Sequence, residues 1–135
     1  MRARLTAFIA TPAPAGTRIG NRVTALRWAK RLRELGWTVR VGHEWTGEPC
    51  DLLVALHARK SHGSIARHAR EQPHAPRVVV LTGTDLHDDI HHDAGARSSL
   101  DLATRIVILQ PLGARQLPEG DRAKVRVIRQ SMPRL

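Results

Sequence analysis

Arg77-Val78-Val79-Val80-Leu81 is an unbroken run of β-branched and aliphatic residues with no polar alternation. Strands with one face in water alternate apolar and polar positions. A run without that alternation is expected in a central strand of a parallel sheet, covered on both faces. Thr82-Gly83-Thr84-Asp85 then turns the chain, with Thr84 or Asp85 placed to cap a helix.

Working back toward the N-terminus, residues 61–72 read as a helix with Ile65 and Ala69 inward, closed by Pro73. Residues 51–56 are a second apolar run, and residues 42–49 a turn-rich link. In residues 37–41, Trp37, Val39 and Val41 alternate as one side of a strand. Before them, Ala25, Leu26, Ala29, Leu32 and Leu35 recur at helical spacing, with Asn21 placed as N-cap and Gly36 as the helix-ending glycine. Residues 5–10 form a further short strand.

Toward the C-terminus the spacing predicts a helix over 94–103, a strand over 105–109, a short helix over 111–117 and a strand over 124–128. Strands and helices alternate with short links. The expected architecture is α/β: a Rossmann-like parallel sheet of about six strands with helices on both faces, in one domain over residues 1–135.

Composition narrows the function. The chain is 41% apolar, and no apolar run approaches the ~20 residues of a membrane helix, so no membrane association is expected. The apolar stretch after Arg2 and Arg4 runs into Pro12 and Pro14 and does not read as a secretory signal. The single Cys50 excludes an internal disulfide and fits a reducing, cytoplasmic setting. A net charge of +10 attracts polyanions in general. The cations are scattered, however, and 3% aromatic content offers few platforms for stacking bases, so no specific nucleic-acid interface is expected.

Ligands of open α/β sheets bind beyond the carboxyl ends of the strands, near the switch in strand order. Residues gathered there by the predicted elements are Gly16, Arg18, Gly20, Asn21 and Arg22 after the first strand, and His57, Arg59 and Lys60 after the third. Thr82, Gly83, Thr84 and Asp85 follow the fourth. Glycines permit close backbone approach, a helix start presents unpaired N–H groups, and the cations favour a phosphate-like anion. His57 either bonds backbone at its strand end or acts on a ligand, and Asp85 is either a helix cap or a catalytic carboxylate. The loop after the first strand has neither the dinucleotide-binding nor the P-loop glycine spacing. His87 and His91 stand one helical turn apart without a third ligand at a recognisable spacing, so no metal is expected. Asp88 and Asp89 are sequence neighbours and not a glycosidase-type acid pair. No nucleophile elbow is present, and no nearby His is expected to activate Cys50.

Several segments together resemble the N-terminal domain of GT-B glycosyltransferases. They are Thr11-Pro12-Ala13-Pro14 with Gly20-Asn21-Arg22-Val23-Thr24-Ala25-Leu26-Arg27-Trp28-Ala29, residues 47–61 including Leu56-His57-Ala58-Arg59-Lys60-Ser61, and Val80-Leu81-Thr82-Gly83-Thr84-Asp85-Leu86. Val107-Ile108-Leu109-Gln110-Pro111 and Val127-Ile128-Arg129-Gln130-Ser131 complete the match. Within that group the chain most resembles the selenosugar synthases of selenoneine biosynthesis. The resemblance implies the N-terminal half of a GT-B fold, supplying the acceptor side of a cleft. The implied reaction joins selenophosphate to a UDP-activated hexose without a further cofactor, and phosphate is subsequently lost. It also implies a C-terminal nucleotide-sugar domain or a partner chain, without which these 135 residues are expected to be inactive. The alternatives are a GT-B enzyme with an ordinary hydroxyl acceptor and a non-catalytic α/β domain that holds a phosphorylated ligand.

Overall fold

The computed structural model describes residues 4–12, 19–82, 86, 89–109 and 117–128, with backbone alone for residues 19–21. Six parallel strands form one sheet in the order β2-β1-β3-β4-β5-β6. They are β1 (Thr6–Ala10), β2 (Thr38–Gly42), β3 (Leu52–Leu56), β4 (Arg77–Leu81), β5 (Arg105–Ile108) and β6 (Val125–Val127). The helices are α1 (Ile19–Glu34), α2 (His62–Glu71), the single turn α3 (Ile90–His92) and α4 (Ala94–Leu102).

Side-chain alternation along each strand sorts the core into two layers. Phe8, Ala10, Leu53, Ala55, Val79, Leu81, Ile106 and Ile108 pack with Ile65 of α2, Ile90 of α3 and Leu100 of α4. Ala7, Ile9, Val54, Leu56, Val80 and Val107 face the other way, against Ala25 and Ala29 of α1. The doubly apolar reading of residues 77–81 therefore holds, since Val79 and Val80 are both fully buried, one on each face. Each large side chain buried in this way contributes roughly 1.5–3 kcal/mol.

The buried stripe of α1 consists of Thr24, Ala25 and Ala29, with Trp28 and Leu32 packed at its flank. Leu26 and Leu35, expected inward, are exposed. Small side chains make the innermost row, and Leu26 lies about 100° round the helix from Ala25. The helix begins at Ile19, two residues before the expected cap, so Asn21 sits within its first turn. Gly36 does end the helix, at φ +96°, and Trp37 N–H closes back onto Leu32 O at 2.9 Å. Ala69 is only half-buried, whereas Ser64, Ile65 and His68 form the inner face of α2.

Asp93 caps α4 by accepting from Ala96 N–H at 2.8 Å. Residues 119–124 form a 3-10 helix, so Lys124, expected to open the last strand, ends that helix and β6 begins at Val125. The helix expected over 111–117 lies outside the described residues except for Leu117.

Candidate functional site at the carboxyl rim of the sheet

The chain moves from β1 through α1 to β2 on one side, then returns to place β3 on the other side of β1. The crossover helices leave on opposite faces, α1 on the face of Ile9 and Val54, α2 on the face of Ala10 and Leu53. The switch in strand order thus falls at the carboxyl ends of β1 and β3, the place where open α/β sheets hold their ligands.

The turn between β3 and α2 is built around His57. Its N–H donates to Val80 O at 2.9 Å, carrying the β3–β4 ladder one residue further. The backbone then swings to φ +75°, a left-handed conformation uncommon for a residue with a Cβ. Four contacts hold it. Lys60 N–H donates to His57 Nδ1 at 3.1 Å, and Ser61 N–H to His57 O at 3.0 Å. Ser61 Oγ donates to Leu56 O at 2.5 Å, and Ser99 Oγ reaches across from α4 to Ala58 O at 2.6 Å. Accepting at Nδ1 leaves the neutral ring's proton on Nε2, which faces Asp89 Oδ2 at 3.7 Å. His57 is 2% exposed and both ring nitrogens are turned into the protein.

Asp89 is buried, and the same Oδ2 accepts from Arg59 Nε at 3.0 Å. The Arg59 side chain is 45% exposed, and the Lys60 side chain also lies at the surface. Thr11, the first residue beyond β1, continues the ladder through its N–H to Gly42 O at 2.8 Å. Its side chain is buried, and Oγ1 has no hydrogen-bond partner among the described residues. Thr82 stands half-buried just past the end of β4.

Of the residues expected at the site, His57, Arg59, Lys60 and Thr82 thus share one rim, and Gly20, Asn21 and Arg22 open α1 after β1. Arg22 is exposed and makes no ion pair among the described residues. Gly16, Arg18, Gly83, Thr84 and Asp85 lie outside the described residues. Two participants were missed. Thr11 looked like the first residue of a loop, and Asp89 meets Arg59 only across 30 positions of sequence. Its place among alternating His and Asp residues suggested metal or nothing. Among the described residues no group of three or more His, Cys, Asp or Glu could hold a metal ion.

Cys50 does have a histidine nearby, contrary to the sequence reading. His68 Nε2 lies 3.7 Å from Cys50 Sγ, brought there by α2 packing over the start of β3. The thiol is nonetheless not activated, because burial pushes its pKa up to about 11, with Asp51 and Glu48 adding to the effect. His68 is held by Arg77 Nη1, 3.1 Å from its Nδ1, and its own pKa is pulled down to about 4, first by burial and then by Arg77. This cluster lies at the amino ends of β3 and β4, opposite the rim that carries His57, and ties elements together. Arg77 alone donates to Leu102 O, Gln72 O and Ala75 O.

No protein-family model matches the chain, and no curated protein matches it.

Proposed function

We propose that this chain is the acceptor-side domain of a glycosyltransferase, which binds selenophosphate and presents its selenium to the anomeric carbon of a UDP-activated hexose. The observation that supports the reading is the switch point in strand order, with surface cations Arg59 and Lys60 on the turn after β3 and Arg22 in the first turns of α1. An unpartnered buried hydroxyl such as that of Thr11 is a group that a bound oxyanion or sugar can satisfy. The switch point coincides with segments that carry the GT-B resemblance.

In this reaction the selenium–carbon bond forms as the bond from the anomeric carbon to UDP breaks, and UDP departs with the electron pair. The nucleophile is already anionic, so no base has to remove a proton. That suits a rim on which both nitrogens of His57 face inward and the Asp89 carboxylate is paired with Arg59. A hydroxyl acceptor would need a proton acceptor at this rim, and among the described residues His57 and Asp89 are both turned inward, which favours the selenophosphate reading over that alternative. The part of His57 is to shape the turn that carries the cations, and the acceleration comes from positioning and charge.

Titration with selenophosphate followed by 31P NMR tests the reading. Saturable binding is expected, weakened in the Arg59→Ala and Lys60→Ala variants. With UDP-N-acetylglucosamine added, these 135 residues alone should leave the donor intact. Turnover should appear once a nucleotide-sugar-binding domain is supplied. Absence of selenophosphate binding would overturn the assignment.

A further inference from the structure

Arg59 is a half-exposed cation anchored by a buried anion, and the anchoring atom matters. A guanidinium has two edges able to form paired hydrogen bonds, one of them comprising the two terminal nitrogens. Arg59 meets Asp89 through Nε, at 3.0 Å. Neither terminal nitrogen has a partner among the described residues, and the side chain is 45% exposed. Asp89, in contrast, is 6% exposed and shares its Oδ2 between Arg59 and the inward-facing Nε2 of His57. Burying a carboxylate costs several kcal/mol unless its partners are well placed. A surface arginine that only needed to balance charge would gain little from such an anchor. Its effect is geometric, since fixing Nε removes much of the rotamer freedom of a long side chain and leaves the two-nitrogen edge outward.

We propose that Asp89 is a positioning residue for an oxyanion subsite, holding Arg59 by Nε so that its terminal nitrogens form a paired clamp on a tetrahedral oxyanion of the phosphate class. This rests on the acceptor-side reading above and specifies how that site grips its ligand. Lys60, next along the same turn, supplies a second positive charge without directional demand. His57 Nε2 approaches that same Oδ2 at 3.7 Å, so the turn after β3 and the segment entering α3 meet at the point where the anion binds.

The experiment measures inorganic phosphate affinity by calorimetry at low ionic strength for the 135-residue chain and for Arg59→Ala, Asp89→Asn and the double variant. Thermal melting establishes that each variant is folded. A charge-assisted pair is worth about a tenfold change in affinity, so Arg59→Ala should bind about tenfold more weakly. Asp89→Asn should approach that loss. In the Arg59→Ala background, Asp89→Asn should have no further effect, because Asp89 acts through Arg59. A merely structural carboxylate would weaken binding by the same factor in both backgrounds, and that result overturns the proposal. Wild-type affinity in folded Asp89→Asn overturns it as well. If Asp89→Asn does not fold, Arg59→Lys carries the test, since lysine keeps the charge but has neither Nε nor a paired edge. Binding about fivefold or more weaker supports the proposal, and a smaller loss or none overturns it. Failure of the wild-type chain to bind phosphate would sink the acceptor-side reading itself, whereas binding insensitive to these changes would sink the clamp alone.

Discussion

A hydroxyl buried without a partner is costly, and Thr11 carries one at 3% exposure at the end of β1. Thr11→Val replaces the hydroxyl by a methyl group of nearly the same size. It should stabilise the ligand-free protein by about 1 kcal/mol, because no hydrogen bond is lost and a buried polar atom is removed. The same substitution should weaken oxyanion binding if Oγ1 turns to the ligand. Chemical denaturation and phosphate titration of the one variant read both effects, and a destabilised Thr11→Val would show that the hydroxyl has a partner after all. His57 presents the opposite economy. Its left-handed backbone is strained, but the ring acceptor for Lys60 N–H and the contact with Asp89 hold the turn in place.

At the scale of elements, α2 is held to the sheet by groups that resist ionisation. His68 is fully buried between Cys50 and Arg77, with the Trp45 ring edge-on at 5.0 Å. Its pKa of about 4 lies below the ordinary 6.5, so the unfolded chain binds a proton at pH values where the native state does not. Stability from this group is therefore complete above about pH 6.5 and declines as pH falls toward 4, with a slope of at most about 1 kcal/mol per pH unit. Below pH 4 its contribution to the slope ends. Urea unfolding of the wild type and of His68→Gln across pH 4–7 checks this, and the variant should lose that part of the slope. An identical pH dependence in both would show that His68 is not the group responsible.

For the whole molecule, the strand order brings residues 11, 57 and 82 to one rim and sends Cys50, His68 and Arg77 to the opposite end. A net charge of +10 raises the local concentration of anions over the entire surface, so non-specific attraction must be separated from a site. Phosphate at a hundredfold excess over its dissociation constant should raise stability by about 2.7 kcal/mol, seen as a higher melting temperature. Chloride at equal ionic strength should give little of this effect. Equal stabilisation by both salts would mean that general charge screening, not a site, is at work.

Local pattern was enough for some of this. Unbroken Val78-Val79-Val80 announces a strand covered on both faces because backbone pleating sends neighbouring side chains to opposite layers. Gly36 announces a helix end because a Cβ disfavours its left-handed φ. From such signals the sequence alone determined an α/β sheet and which residues follow the first, third and fourth strands. Burial across elements was beyond it. Leu26 fits the helical spacing yet is exposed, because the sheet admits Ala25 and Ala29 as the innermost row of α1. Cys50 meets His68 across 18 positions and Arg59 meets Asp89 across 30, since helix docking rather than chain order sets those distances. Tertiary structure alone decided that His57 faces inward while Arg59 faces out, because both depend on a buried carboxylate delivered by a distant segment.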